Sequence, residues 1–138
     1  MSPTSAGYSG TPLPKKLGIA ERSRLVVRHA PDDYARMLAP IPQGTTFEKT
    51  VSKKTDIVHV FSDRKALLKT ELAALRTAIR SDAVVWISWP KKTSRVPTDV
   101  TEDTIRELAL PLGFVDVKVC AVSDVWSGLK LVVRKELR

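Results

Sequence analysis

The residues best suited to chemistry lie together in one short basic segment, residues 88–95. It contains three hydroxyl groups including that of Ser88, the indole of Trp89, and three cations, Lys91, Lys92 and Arg95. Lysine and arginine bind phosphate or carboxylate groups, and hydroxyls complete such a site. The segment follows an apolar run typical of a buried strand, and ligands of open α/β sheets bind outside the carboxyl ends of strands. We therefore expect an anion-binding loop here, with a solvated basic loop as the alternative.

Residues 1–22 are rich in proline, glycine, serine and threonine, which predicts an extended N-terminal arm with one helical turn between 15 and 21. Lys15 and Lys16 of this arm, with Ser9 and Thr11, could reach the same rim as the basic loop. Trp89 would then either contact the ligand or seal the arm against the sheet.

A second candidate surface involves Trp126 and Lys130 near the C-terminus. Residues 123–128 are predicted to form a hairpin turn. A tryptophan in a turn is either a lid over the core or an exposed anchor for a protein partner. We keep both residues as interface candidates.

Catalytic chemistry is harder to build from this sequence. His29 ends the first predicted strand beside Asp32 and Asp33, where a carboxylate could orient the imidazole as a base; a loop histidine beside helix-capping acids is the alternative. His59 lies within an apolar strand, and Cys120 lies in another, which favours a core residue and an inert thiol. These scattered side chains do not form a metal site, and no glycine-rich phosphate motif occurs. The sequence thus predicts no catalytic residue and no metal.

The composition narrows the class of protein. The chain has 138 residues, 43% of them hydrophobic, with a single cysteine and a net charge of +8. Such a chain is expected to fold as one domain without disulfides, and it has neither a membrane-spanning run nor a signal-peptide core. We expect a cytoplasmic protein. The charge favours an anionic small molecule or an acidic protein surface as partner, with nucleic acid as a further possibility.

The hydrophobic pattern predicts alternating strands and helices. Strands are expected at 24–28, 46–51, 56–61, 82–89, 114–122 and 129–135, and helices at 33–38, from 62 or 63 to 80, and from 99 to 110. The last of these helices is expected to begin with a capping box of Asp99 and Glu102. This order predicts a single α/β domain over residues 23–138. It would be Rossmann-like, with a mostly parallel sheet flanked by helices on both faces and ending in an antiparallel C-terminal β-hairpin.

A parallel sheet that ends in an antiparallel hairpin resembles the class I S-adenosylmethionine-dependent methyltransferase fold, in which a Gly-Phe pair also opens the penultimate strand, as Gly113 and Phe114 do here. The resemblance implies a glycine-rich turn after the first strand and an acidic residue that ends the second strand and holds the ribose. Here the turn His29–Asp33 contains no glycine and includes Pro31, and no ribose-binding acid is evident. The sequence therefore predicts a reduced version of this fold without a cofactor.

Several segments also resemble a family of uncharacterised bacterial proteins, a domain of unknown function. The matching segments are Tyr8–Leu13 with Lys16–Gly18, Trp89–Lys92, Leu108–Gly113, Val117–Val122 and Trp126–Lys130. The resemblance implies a bacterial origin and no particular activity.

Taken together, these patterns favour a non-catalytic binding or regulatory module over an enzyme. It would recognise an anionic ligand or an acidic protein surface through the basic loop. A reduced methyltransferase-like enzyme, with His29 or Asp32 near the chemistry, is the first alternative, and binding of nucleic-acid phosphates is the second.

Overall fold

The computed structural model describes residues 10–138, so the expected contribution of Ser9 lies outside the described residues. The strands are β1 (Arg24–Arg28), β2 (Thr46–Glu48), β3 (Ile57–Phe61), β4 (Val84–Pro90), β5 (Phe114–Ala121) and β6 (Trp126–Val133). The α-helices are α1 (Leu13–Leu17), α2 (Tyr34–Leu38), α3 (Lys65–Ala78) and α4 (Glu102–Ala109). Short 3-10 turns cover Lys92–Ser94, Leu110–Leu112 and Lys135–Leu137.

The six strands form one sheet in the order β2-β1-β3-β4-β6-β5. Strands β1 to β4 are parallel, and β6 lies antiparallel to both β4 and β5. The predicted Rossmann-like sheet with its antiparallel C-terminal hairpin is therefore confirmed. The second strand, expected over residues 46–51, is shorter and covers only Thr46–Glu48.

Helices cover both faces of the sheet and create two apolar cores. On one face, α3 and α4 pack against residues that include Val58, Ile87 and Leu129. On the other face, α1 and α2 pack against residues that include Leu25 and Phe61. Because β3 is buried along its whole length, both of its faces must be apolar, which explains its nearly continuous run of β-branched residues.

The start of each long helix differs from the prediction. No side chain of α3 caps its own N-terminus; Asp99 Oδ1 instead accepts a hydrogen bond of 2.6 Å from Lys65 N. Asp99 therefore caps α3, and α4 begins with a capping box of Thr101 and Thr104. The expected Asp99–Glu102 box was wrong because a residue distant in sequence takes Asp99 as its partner.

The position of α1 depends on Trp86. Its indole Nε1 donates a hydrogen bond of 3.0 Å to the Leu17 carbonyl, and the Lys16 ammonium donates one of 3.0 Å to the Ala121 carbonyl. The expectation that Trp89 seals this segment was wrong, because Trp89 lies on the opposite face of β4, in the core beneath α3 and α4. Among residues 10–138, none of the helices has the length and apolar character needed to cross a bilayer.

Candidate functional site

A cleft of about 360 Å³ opens where the strand order reverses. The chain leaves β1 towards β2 on one side, and then returns to β3 on the other side of β1. The carboxyl ends of β1 and β3 thus frame a crevice, which is where open α/β sheets bind ligands. We call it the switch-point cleft, and its lining residues are His29, Phe61, Ser62, Asp63, Arg64, Leu67, Glu71 and Trp126.

An imidazole–carboxylate pair lies at the β1 side of the cleft. His29 adopts a φ of 61°, the left-handed conformation that a tight turn requires and that a glycine adopts most easily. Its Nε2 lies 3.0 Å from Glu71 Oε2 of α3, and Arg28 Nη1 lies 3.6 Å from the other oxygen of that carboxylate. A carboxylate only accepts hydrogen bonds, so in the neutral ring Nε2 holds the proton and Nδ1 carries the lone pair.

Aromatic rings form the opposite wall. Phe61 at the end of β3 meets Trp126 at the start of β6 edge to face, with 5.0 Å between the ring centroids. Trp126 is half-buried and packs against the core beneath α1 and α2. The prediction that Trp126 lies in the hairpin turn was wrong. Strand β6 begins at Trp126, so the turn that joins β5 to β6 is shorter than expected.

Beneath this wall, a buried polar chain joins three elements. Tyr34 Oη lies 2.8 Å from His59 Nδ1, and Ser88 Oγ lies 2.7 Å from His59 Nε2. Burial raises the pKa of Tyr34 and lowers the pKa of His59 to about 3, so the imidazole is neutral at pH 7. Ser88 is fully buried in this chain of hydrogen bonds and does not reach a ligand, contrary to its place in the predicted anion site.

Two charged side chains complete the cleft at the loop after β3. Asp63 accepts hydrogen bonds from Thr98 and Asp99 through its backbone carbonyl. Within residues 10–138, the carboxylate of Asp63 and the guanidinium of Arg64 are exposed and take part in none of the ion pairs.

The basic loop does not form one surface. Lys91 lines a cavity beside Lys16, whereas Lys92 and Arg95 line another, beside Trp89. Trp89 is only 8% exposed. A short 3-10 turn, Lys92–Ser94, directly follows Lys91 and separates it from Arg95.

The remaining predicted residues are also dispersed. Lys15 is exposed and borders an apolar groove formed by prolines of residues 12–14 and 40–42. Lys130 lies on β6, opposite Lys118 on one side and Trp86 on the other. In the described part of the chain, residues 10–138, histidine, cysteine and acidic side chains do not gather in any group of three that could hold a metal.

Comparison with known proteins gives a fold and no family. Neither a family model nor a curated protein sequence matches the chain. Among solved structures, an S-adenosylmethionine-dependent methyltransferase from Aquifex aeolicus superimposes with a TM-score of 0.62, at 12% identity, over 87% of each chain. The PH0226 protein from Pyrococcus horikoshii gives 0.59 at 9% identity, over 88% of this chain and 86% of that one. The mitomycin 7-O-methyltransferase MmcR gives 0.53 at 12% identity, over 86% of this chain and 50% of that one.

The fold resembles that of the methyltransferases. At these identities the likeness concerns the fold alone. It nevertheless overturns the prediction of a non-catalytic binding module, because the comparable structures include enzymes and the basic loop meant to bind the ligand is divided between two cavities. Nucleic-acid binding stays a prediction.

The methyltransferase resemblance implies a glycine-rich turn after β1 and an acid that ends β2. The turn after β1 lacks glycine, but His29 keeps a left-handed backbone there. In this turn Pro31 is half-buried, whereas Ala30 and Asp32 on either side of it are exposed. The acid at the end of β2 is Glu48, which the sequence analysis missed. The Glu48 carboxylate accepts a hydrogen bond of 2.8 Å from Arg24 Nε, so it already has an arginine partner within the protein.

Glu71, Asp63 and Phe61 were also missed as site residues. Glu71 comes from the middle of α3, 42 positions after His29, and its position among other polar helix residues carried no local signal. Asp63 and Phe61 flank the end of a predicted strand, and the rule that ligands bind at strand ends could have found them.

Proposed function

We propose that the protein is a reduced methyltransferase-like enzyme that works at the switch-point cleft. The observation that carries the proposal is the placement of two carboxylates, Asp63 and Glu71, beside the aromatic wall of Phe61 and Trp126 at the reversal of the strand order. This is the position at which an α/β sheet of this order binds a ligand.

The residues of the cleft fit the chemistry of S-adenosylmethionine. That molecule has a sulfonium, an ammonium group and an adenine ring, and when bound it supplies an electrophilic methyl group. Carboxylates and aromatic faces favour a cation, and an aromatic ring also stacks with a base. Asp63, Phe61 and Trp126 would hold these parts. Because Glu48 is engaged by Arg24, we assign the ribose hydroxyls to Asp63 as well.

His29 is suited to move a proton at this site. With Nε2 bound to Glu71, its Nδ1 can accept a proton from the O–H or N–H group of an acceptor substrate. Glu71 keeps the ring oriented and stabilises the imidazolium that forms. The turn after β1, which the left-handed backbone at His29 makes tight, places this imidazole at the mouth of the cleft.

Calorimetric titration with S-adenosylhomocysteine tests the proposal without knowledge of the acceptor. We expect saturable binding, and a loss of about tenfold or more in affinity for Asp63→Asn, because one charge-assisted contact is removed. Glu136→Gln is the matched control, since it removes the same charge from an exposed residue outside the cleft. The proposal fails if the parent protein shows no binding at millimolar ligand, or if both variants bind like the parent.

We also propose that the chain belongs to the uncharacterised bacterial family. The segments Tyr8–Leu13, Trp89–Lys92 and Trp126–Lys130 support membership of the uncharacterised bacterial family described above. A cytoplasmic location is part of that assignment, and the high content of lysine and arginine is compatible with it.

A further inference from the structure

The start of α3 places three residues of the switch-point cleft in one row. Arg64 directly precedes the helix, and Leu67 and Glu71 follow at spacings of three and four, which puts all three along the same helix face. At a rise of about 1.5 Å per residue, the row is about 10 Å long. One wall of the cleft therefore presents a cation, an apolar side chain and an anion in that order.

The first two residues of this row belong to the outer rim of the cleft. Leu67 is 52% exposed and Arg64 is exposed, whereas Phe61 and Ser62, which also line the cleft, are buried. In the proposed function the aromatic wall and Asp63 hold the cofactor, and neither Arg64 nor Leu67 has a role. A ligand that contacts these two residues would lie at the mouth of the cleft, on the solvent side of the cofactor.

The guanidinium of Arg64 is available for such a ligand. Within residues 10–138, the hydrogen bonds of Arg64 involve only its backbone groups. Glu71, at the other end of the row, is already held by His29 at 3.0 Å and lies 3.6 Å from Arg28. The row therefore ends in an unoccupied cation on one side and in the oriented imidazole of His29 on the other.

The neighbouring charges favour a singly charged ligand group at Arg64. The Asp99 carboxylate accepts the hydrogen bond from Lys65 N, and the Lys65 ammonium lies 3.1 Å from Glu107. This leaves one guanidinium beside one carboxylate, that of Asp63. A carboxylate matches a single guanidinium, whereas a phosphate carries a charge of about −1.5 to −2 at pH 7 and would be repelled more strongly by Asp63.

We propose that the acceptor substrate is a small carboxylic acid with an apolar body and a hydroxyl or amino group at its far end. Its carboxylate binds Arg64, its body covers Leu67, and its nucleophile reaches Nδ1 of His29. On transfer, the nucleophile gives its proton to His29 and its lone pair to the methyl carbon, whose bond to sulfur breaks with both electrons on sulfur. The inference rests on the proposed function and names the substrate class of that site.

The test compares two probes that differ only in the carboxylate, 4-hydroxycinnamate and its neutral methyl ester. Both have an apolar body with a phenol at the far end. Their affinities are measured by calorimetric titration of the protein saturated with S-adenosylhomocysteine, after the affinity for S-adenosylhomocysteine itself has been measured. We expect the acid to bind saturably, and about tenfold more tightly than the ester.

Three variants separate the contacts. Arg64→Gln should weaken the acid about tenfold and leave the affinities for the ester and for S-adenosylhomocysteine unchanged. Leu67→Ala should weaken the acid and the ester alike, by about threefold, because both bodies lose the same apolar contact. Both residues are exposed, so these variants should keep the fold. Arg36→Gln on α2 is the matched control, since it removes the same charge from an exposed residue outside the cleft lining and should change none of the three affinities.

The outcomes distinguish this inference from the proposed function. If S-adenosylhomocysteine does not bind the parent protein, both fail. If it binds, but the acid does not bind at millimolar concentration or binds no better than the ester, only this inference fails. It also fails if Arg64→Gln weakens S-adenosylhomocysteine instead of the acid, which would assign Arg64 to the carboxylate of the cofactor. Equal weakening of the acid by Arg36→Gln would reduce the effect to net charge and overturn the inference as well.

Discussion

The imidazole of His59 shows how one residue can link the fold to pH. It is fully buried between Tyr34 and Ser88, and burial lowers its pKa from 6.5 to about 3. Between these values the unfolded chain binds one proton more than the folded chain. The free energy of unfolding must therefore fall as the pH decreases from 6.5 towards 3.

The pH dependence that His59 gives to the free energy of unfolding can be measured. His59 should reduce the free energy of unfolding by up to about 2 kcal/mol between pH 6 and pH 4.5, and urea unfolding of the parent and of His59→Gln should differ in this pH dependence. Burial raises the pKa of Asp56, but its arginine partners outweigh that effect, and Arg106 lowers the pKa of Asp116. Both carboxyls therefore titrate in the folded protein below this pH window. Nitrogen NMR should show a neutral His59 ring at pH 4.5. A charged ring there would contradict the assignment even if the variant fails to fold.

Among the elements, α3 depends on a cap that lies outside it. The first turn of a helix leaves backbone N–H groups without partners, and Asp99 satisfies one of them from the loop before α4. Thr98 also binds the carbonyl of Asp63 at 2.8 Å, so this loop is fastened to the start of α3 at two points.

Loss of this cap should lower the free energy of unfolding. We expect Asp99→Ala to cost about 1 kcal/mol, and Asp99→Asn to cost less because the amide oxygen still accepts the hydrogen bond. Urea unfolding of both variants measures the difference. If Asp99→Ala has no effect, the contact with Lys65 contributes nothing to the stability of α3.

For the whole molecule, the packing of α1 decides whether the N-terminal segment is part of the core. Leu17 is 1% exposed and lies under the indole of Trp86, whereas Leu67 on α3 is 52% exposed. Leu17→Ala should therefore cost about 2–5 kcal/mol, and Leu67→Ala much less. Thermal or urea unfolding compares the two. Similar losses would mean that α1 is detached in solution.

Much of the architecture could be predicted from local patterns. The stripe of Leu68, Leu72 and Leu75 marks α3, because its spacing places all three on one helical face, and all three are buried. The apolar runs of β3 and β4 mark strands covered on both sides, and the short connection before β6 requires an antiparallel pair. A reduced Rossmann-like sheet follows from these features without any tertiary information.

The candidate site required the tertiary structure. His29 and Glu71 are 42 positions apart, and their contact exists because the sheet order returns α3 to the end of β1. In β4, Trp86 and Trp89 lie three positions apart and so point to opposite faces, and only the packing shows that Trp86 holds α1. Where both faces of a strand are buried, hydrophobicity no longer distinguishes them. The sequence alone thus determined the order of the main strands and the two long helices. The position of α1, the start of β6 and the side of the sheet to which each residue points were decided by the tertiary structure.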